Sequence, residues 1–306
     1  MNIGIDLGGS HIAVGLVDTN GKIIYKIEED INKQNNQIME CIIEIKIIEL
    51  INKILKEKNM EIDEIKKIGI ACPGEHGNGC MQNVVNLGIK KYPIVDILKN
   101  KLNFENISIR NDAKCAALAE KEYGSLKNSE DCVFLCIGTG IGGAAFINGE
   151  LLVPKKNSGF EFGHMIIEKN GEQCKCGNRG CFETYGSMKN FKINISHNLN
   201  LNKNEYESKT ILKELRSGMY DKKIEGIIEE YLENLVIGLS NITNILEPEV
   251  IAIGGGFVYY KDILWERLRD KFKNTNLLFN KEQRPELKLA QFGNDAGIIG
   301  ASIDRI

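Results

Sequence analysis

Short apolar, β-rich runs broken by glycines open the chain. Asn2 to Asp6 and Ile12 to Asp18 flank Gly8-Gly9-Ser10, and Asn20-Gly21 then turns into Lys22 to Ile27. The pattern predicts strand, glycine turn, strand, hairpin, strand. The same order returns later: Cys132 to Ile137, Gly138-Thr139-Gly140-Ile141-Gly142-Gly143, Ala144 to Ile147, Asn148-Gly149, and Leu151 to Val153. This internal duplication predicts two similar lobes, each offering one glycine turn to a cleft between them.

Between the repeats, Gln37 to Lys58 has helical apolar spacing, Lys67 to Ala71 reads as a strand ending in Cys72-Pro73-Gly74, and Ile107 to Ile109 as another strand. Asp112 to Tyr123 is predicted as a helix capped by Asn111 or Asp112. Lys222 to Leu246 reads as a long helix stopped by Pro248, and Val250 to Ile253 as a buried strand leading into Gly254-Gly255-Gly256. The polar, weakly patterned stretch Asn190 to Asn204 is expected to be a loop, and Asn294 to Ile306 a small-residue helix. No role is readable for segment 190–220.

Composition narrows the class. With 306 residues, 42% hydrophobic and 26% charged, the chain can bury a large core and suits two domains. A net charge of −3 and a pI near 6.0 give no reason to expect nucleic acid or an anionic membrane as partner. Lys155-Lys156 reads as solvated surface, and the Ile, Lys and Asn excess as genomic nucleotide bias. No apolar run approaches the ~20 residues that span a bilayer, and the N-terminus enters a strand pattern at once. Together with an odd count of nine cysteines, this sets the expected compartment as the cytoplasm.

The chemistry concentrates between Gly159 and Glu183. His164 followed by Cys174, Cys176 and Cys181 makes a four-ligand set for tetrahedral zinc, with Gly177 and Gly180 letting the backbone fold round a small ion. Four protein ligands leave no open position for water, so the expected role is structural. Glu161 and Glu183 bracket the set and would present carboxylates beside an imidazole, a combination suited to a polyhydroxylated ligand. The other six cysteines, Cys41, Cys72, Cys80, Cys115, Cys132 and Cys136, read as small hydrophobes. His11, His76 and His197 stand in no constellation and read as surface or turn residues.

Three glycine turns each follow a predicted strand: Asp6-Leu7-Gly8-Gly9-Ser10, Gly138 to Gly143, and Gly254 to Gly256. Missing Cβ atoms let main-chain N–H groups approach phosphate oxygens. The chain lacks G-x-x-x-x-G-K-[ST] and a G-x-G-x-x-G that opens a βαβ unit. A nucleotide clamped between two lobes is the expectation that remains.

The segments D-L-G-G-S, C-P-G-E, N-D-A-K-C-A-A-L-A-E, G-T-G-I-G-G, G-F-E-F-G-H-M, C-x-C-G-x-x-G-C-x-E-T-Y-G-S, E-P-E-x-I-x-I-G-G-G and G-N-D-A-G-I-I-G-A-S together resemble the ROK family of sugar kinases and related repressors. The resemblance runs over nearly the whole chain. It implies two actin-like (ribonuclease H-like) α/β lobes with mixed sheets flanked by helices, within the actin and hexokinase superfamily. The lobes would be 1–115 plus 296–306, and 116–295 with the zinc segment 164–181.

By the same resemblance the protein would transfer phosphate from ATP to a hexose hydroxyl, in a glucokinase-like reaction giving a sugar 6-phosphate. Asp112 would be the catalytic base, kept ionised by its helix N-terminus, and Asn111 a sugar ligand. Glu161, His164 and Glu183 would bond sugar hydroxyls, with His164 giving one ring nitrogen to zinc and the other to sugar. Asp6, in the first phosphate loop with Gly8, Gly9 and Ser10, would orient Mg²⁺ through water. Gly138, Thr139 and Gly140 would face the phosphates, and Gly254, Gly255 and Gly256 the nucleoside.

Departures from the family pattern bear on the sugar. Pro73-Gly74-Glu75-His76 replaces P-G-P with a following acid, and Asn86-Leu87-Gly88-Ile89 lacks the Trp of an Asn-Leu-Pro-Gly-Trp segment. Both segments line the family's sugar pocket, so N-acetylmannosamine, another amino sugar, fructose or allose stand beside glucose. Ala144, where a third glycine is usual, adds one methyl near the phosphates. ROK repressors carry a helix-turn-helix ahead of the first glycine turn, and only five residues precede Asp6, which sets the expectation against that class. A catalytically idle sugar sensor is opposed by Asp112, and an actin-like ATPase by the zinc segment. Family analogy suggests a dimer or tetramer.

Overall fold

The computed structural model describes residues 1–31, 38–155, 160–199, 208–276 and 284–304. The chain packs as two compact units, Met1–Asn128 with Leu151–Gly159 and Phe292–Ile306, and Ser129–Glu150 with Phe160–Gln291. Both are α/β, with mixed sheets flanked by helices.

In unit 1, β1 (Asn2–Leu7), β2 (His11–Val17) and β3 (Ile23–Asp30) form an antiparallel meander. Asp18 shapes its second turn, its Oδ1 accepting from Asn20 N and Lys22 N at 2.9 Å. Helix α1 (Met39–Glu57) follows, then β4 (Lys67–Cys72), β5 (Glu75–Gly77), β6 (Cys80–Val84), β7 (Ile89–Tyr92), α2 (Ile94–Leu102), β8 (Ile107–Asn111) and α3 (Asp112–Glu122). β4 adds in parallel to β1, and β8 in parallel to β4, giving the order β3-β2-β1-β4-β8. β5, β6 and β7 form a separate antiparallel sheet.

Unit 2 repeats the order. β9 (Cys132–Ile137), β10 (Ile141–Ile147) and β11 (Glu150–Leu151) are joined, after helices α4 (Phe182–Gly186), α5 (Met188–Asn198), α6 (Ser208–Ser217) and α7 (Lys222–Leu246), by β12 (Val250–Gly254). Helix α8 (Lys261–Asn274) and β13 (Glu286–Leu289) complete a sheet ordered β11-β10-β9-β12-β13. The duplication seen in the glycine-turn hairpins is therefore a duplication of sheet topology. α7 starts on an Asp221 cap that accepts from Lys223 N and Ile224 N. Its apolar stripe, including Ile228, Leu232, Leu235 and Leu239, is buried, and the helix packs against α4, α5 and α8.

The chain then returns to unit 1 as α9 (Ala296–Ser302). Gly15, Gly4 and Gly69 lie side by side on β2, β1 and β4. A Cβ on Gly4 would sit 1.9 Å from the Ile298 carbonyl oxygen, and one on Gly69 1.8 Å from that of Ala301. This glycine row lets the backbone of α9 lie directly on the sheet, while α1 and α2 supply the larger side chains of the core, such as Ile47, Ile51 and Leu98.

Several expectations are corrected. Asn190 to Asn204 is not a loop throughout: 190–198 belongs to α5, which Ser187 starts by accepting from Asn190 N, while 200–204 lies outside the described residues. Gly142 and Gly143 are strand residues of β10, so the second turn is shorter than its glycines suggest. Where Asn294 to Ile306 is expected as a helix, the described residues form one over Ala296–Ser302, and 305–306 lie outside the described residues. α3 is one continuous helix packed on α9, and a boundary at 115/116 would cut it, so the compact units differ in extent from 1–115 plus 296–306 and 116–295. Gln37, Lys156 and Gly159 lie outside the described residues. Cys72, Cys80, Cys115 and Cys132 are buried as small hydrophobes, Cys136 is partly buried, and Cys41 is exposed because it lies on the outer side of α1. Among the described residues no helix is long and apolar enough to cross a membrane.

Candidate functional site

Parallel pairing gathers the polar residues of unit 1. Asp6 pairs with Ala71 across β1 and β4, and Cys72 with Asn111 across β4 and β8. Asp6 and the Asn111-Asp112 step thus stand together at the carboxyl ends of parallel strands, where ligands of open α/β sheets collect. Asn111 is the cap of α3: its Oδ1 accepts from Ala113 N at 3.0 Å and Lys114 N at 3.2 Å, and its Nδ2 donates to Gly74 O at 3.3 Å. With Asn111 as the cap, the Asp112 carboxylate accepts from Ala113 N at 2.8 Å and from its own main-chain N–H.

Asp112 is recessed, and burial raises its pKa above the ordinary carboxylate value, against the Ala113 N–H and nearby His76, which favour the ion. The helix N-terminus therefore does not dominate as the sequence suggested; loss of hydration outweighs it. Burial, then the charge of Asp112, pushes Asp6 up to about 6, while His11 and Lys26 pull the other way. Gly297 leaves room for this carboxylate, since a Cβ there would lie 2.6 Å from Asp6 Cγ. Gly9 approaches the side chain of exposed Asn86, whose Cβ would stand 3.6 Å from a Cβ at Gly9. Ser10 is exposed, and its carbonyl accepts from Ile31 N at 2.7 Å.

Sequence reading missed two histidines here. The His11 imidazole lies over Gly8, where a Cβ would be 2.6 Å from Cε1, and His76 Nε2 lies 2.6 Å from Cys72 O. Strand alternation places His11 beside Asp6, and the β4–β5 turn brings His76 back toward Asp112. Neither is a consequence of local sequence, and only His197 is exposed as expected.

The raised Asp6 value has a sign. Its folded pKa of about 6 lies above the unfolded 3.8, so the protonated acid is stabilising at low pH and that stability is lost as pH rises through the folded value. Asp6→Asn is expected to raise the melting temperature of the metal-free protein above pH 7, by at most roughly 3 kcal/mol of stability, and to make no difference below about pH 4. Melting curves of both proteins from pH 4 to 8 check this; parallel curves would refute it.

In unit 2, His164, Cys174, Cys176 and Cys181 offer ligand atoms that all lie within 4.8 Å of one another. Cys176 Sγ is 3.6 Å from Cys181 Sγ, and Cys174 Sγ 3.9 Å from His164 Nδ1. Tetrahedral zinc with bonds of ~2.3 Å to sulfur needs sulfur atoms ~3.8 Å apart, so donor set and spacing both fit. The segment is shaped by main-chain bonds, Cys174 N to Asn178 O at 2.8 Å and Gly177 N to Cys174 O at 3.1 Å. Gly180 has φ +77° and sits against Glu168, whose carbonyl oxygen would be 1.7 Å from a Cβ. Burial first, then the neighbouring thiols, pushes Cys181 up to about 12, so its thiolate requires a cation beside it.

Glu183 stands between this set and the second glycine turn. Its Oε1 is 3.8 Å from His164 Nδ1, and its Oε2 accepts from Ile141 N at 3.4 Å. Glu161 is exposed, and its carbonyl accepts from His164 N at 2.9 Å. Gly138 N bonds to Gly140 O at 2.9 Å, and Lys189 N at the start of α5 donates to Gly138 O at 3.2 Å. The third turn meets the second: a Cβ on Gly255, at φ +72°, would be 2.8 Å from Ile137 O. Gly254 packs against the Phe134 ring, and Gly256 against Met188. A cavity of about 510 Å³ opens from Thr139 and Gly140 and is lined further by Asn190, Phe191, Tyr231 and Asn234. The α5 residues among these carried no sequence signal, because that stretch reads as polar loop.

Comparison with known proteins agrees with this layout. A glucokinase of Halalkalibacterium halodurans is 29% identical over 97% of this chain and 92% of its own. A xylose repressor of Caldicellulosiruptor bescii is 28% identical over 90% of this chain and 71% of its own. The crystal structure of a ROK hexokinase from Thermus thermophilus superposes with a TM-score of 0.80 at 25% identity, covering 98% of this chain and 96% of that one. The model of the ROK family matches residues 2–303 with the glycine turns, the Asn111-Asp112 step and the Cys/His set all inside the match, and the chain belongs to the ROK family.

Proposed function

We infer that this protein is a sugar kinase that transfers the γ-phosphoryl group of ATP to a hexose hydroxyl, with glucose as the first candidate and N-acetylmannosamine, fructose or allose behind it. The observation that carries the reading is the recessed Asp112 at the start of α3, beside Asp6, in a ROK family chain. Asp112 accepts the hydroxyl proton late, as the bond to phosphorus forms. A loose transition state asks for position more than for basicity, so a raised pKa is no obstacle and makes the group a better proton acceptor once ionised. Asn111 and Asn86 in unit 1, and Glu161, His164 and Glu183 in unit 2, are the proposed sugar ligands, with Asp112 at the reacting hydroxyl. His164 turns Nδ1 to the cysteines, which leaves Nε2 for a hydroxyl.

Gly138, Thr139 and Gly140 present main-chain N–H groups to the phosphates, and Gly254 to Gly256 pack next to that turn on the nucleoside side. Asp6 is the proposed carboxylate toward Mg²⁺, and its environment fits, since a dication would offset the burial and the Asp112 charge that raise Asp6. Mg²⁺, when bound, neutralises charge on the transferred phosphoryl group. His164, Cys174, Cys176 and Cys181 would hold zinc, which fixes the knuckle and the aim of His164. The actin-like description of the two lobes belongs to the same reading.

The test is ADP release from ATP and Mg²⁺ over a panel of hexoses and N-acetylhexosamines. Sugar-dependent turnover establishes the reading and names the substrate. A sugar-sensing regulator is the second reading, favoured by the repressor match over 90% of the chain. Sugar affinity without any turnover would establish that one instead.

A further inference from the structure

Glu183 does more than a sugar ligand needs to do. It is the second residue of α4, and its two oxygens face different parts of unit 2. Oε1 accepts from Cys174 Sγ at 3.3 Å and lies 3.8 Å from His164 Nδ1. Oε2 accepts from the Ile141 N–H at 3.4 Å. The same Oε2 fills the space beside Gly140, where a Cβ would come within 2.4 Å of it. One carboxylate thus touches two members of the metal set and both residues that close the turn after β9.

We propose that Glu183 is a positioning residue that couples the Cys/His metal site to the Gly138–Ile141 turn, so that metal loading raises nucleotide affinity. The proposal rests on the reading of that turn as the phosphate site. With thiols protonated, the Cys174 S–H holds Oε1. A cation in the set would fix Cys174 and His164, the two groups that border Oε1, and so hold the carboxylate in one place. The other oxygen then orients the Ile141 N–H and the Gly140 backbone. Gly138 has no packing neighbour within 4 Å of a Cβ, so this turn has few other restraints on that side. Coupling of this kind is reciprocal: nucleotide would also tighten the metal.

The experiment is calorimetric titration of ADP with Mg²⁺ into the metal-loaded protein, the chelator-depleted protein, and the Glu183→Gln and Gly140→Ala variants, with metal content measured in each. Depletion and Glu183→Gln are each expected to weaken ADP about tenfold, and depletion of Glu183→Gln to weaken it no further. Gly140→Ala crowds the carboxylate without touching a metal ligand but also adds a methyl to the proposed phosphate turn, so beyond weaker ADP binding with full metal content its depletion effect is expected to shrink as in Glu183→Gln. ADP affinity within about twofold of wild type in Glu183→Gln or in metal-loaded Gly140→Ala overturns the proposal, as does an undiminished depletion effect in Glu183→Gln. Wild-type protein that binds no ADP overturns the nucleotide reading itself and the proposal with it.

Discussion

Asp112→Asn is expected to lower ATP-dependent sugar phosphorylation by roughly 10³-fold and to leave the protein at least as stable as before. The two effects have opposite signs for one reason. Burial raises the Asp112 pKa, so holding its carboxylate ionised near neutral pH costs folding free energy. That contribution is favourable only below the unfolded pKa and is lost as pH rises through the folded one, so an amide, which does not ionise, removes the cost. Asn also keeps an oxygen for the Ala113 N–H that Asp112 accepts at 2.8 Å, and Asn111 continues to cap the helix. What the amide lacks is a site for the hydroxyl proton. ADP release with the best sugar of the panel, set beside a melting curve, reads both. A variant that keeps more than about a tenth of wild-type turnover would remove Asp112 from the role of base, because positioned general bases are worth far more than that.

Loss of the metal set should produce the largest change in stability. Cys181→Ser is expected to abolish metal retention and to lower stability by at least ~3 kcal/mol, a fall of about 5 °C in melting temperature for a chain of this size. Cys181 is wholly buried and bridges to Ile166, and the next residue donates its N–H to Met165 O at 2.7 Å. That next residue, Phe182, is itself fully buried and lies against Gly238 of α7, where a Cβ would meet its ring at 2.3 Å. The knuckle is therefore continuous with the packing of unit 2, and its release would loosen α4 against α7. Elemental analysis of the purified protein, with melting curves in the presence and absence of chelator, tests the account. Protein that purifies without metal and melts identically with chelator would show that the four side chains do not need an ion.

Much of this was open to reading from the chain alone. Strands β1, β2, β4, β9 and β12 carry apolar runs bounded by glycine or hairpin signals, and α7 carries a long apolar stripe between Asp221 and Pro248. Local propensity and burial agree in these elements, so sequence was sufficient. The Cys/His set was legible because three ligands sit within eight residues and need only a tight turn to converge. Helix α5 was not, because most of its residues are polar and its buried side holds only Met188, Phe191 and Ile195 as large apolar side chains, with Ser196 beside them. The 3-stranded sheet β5-β6-β7 was also missed, its strands being too short to show alternation.

The sequence by itself determined the repeated strand order, the identity of the metal-set donors, and the glycines at the strand ends, since each depends on residues that are neighbours in the chain. Tertiary structure alone decided what those residues do to one another. Asp6 and Asp112 stand 106 positions apart and meet only because β1, β4 and β8 pair in parallel, and their raised pKa values are properties of that shared, poorly hydrated edge. Glu183 reaches Gly140 and Ile141 only once α4 packs behind β10, and Gly297 reaches Asp6 only once α9 lies on the glycine row. Burial and electrostatics depend on distance through space, and the chain's spacing does not encode that distance until the sheets have formed.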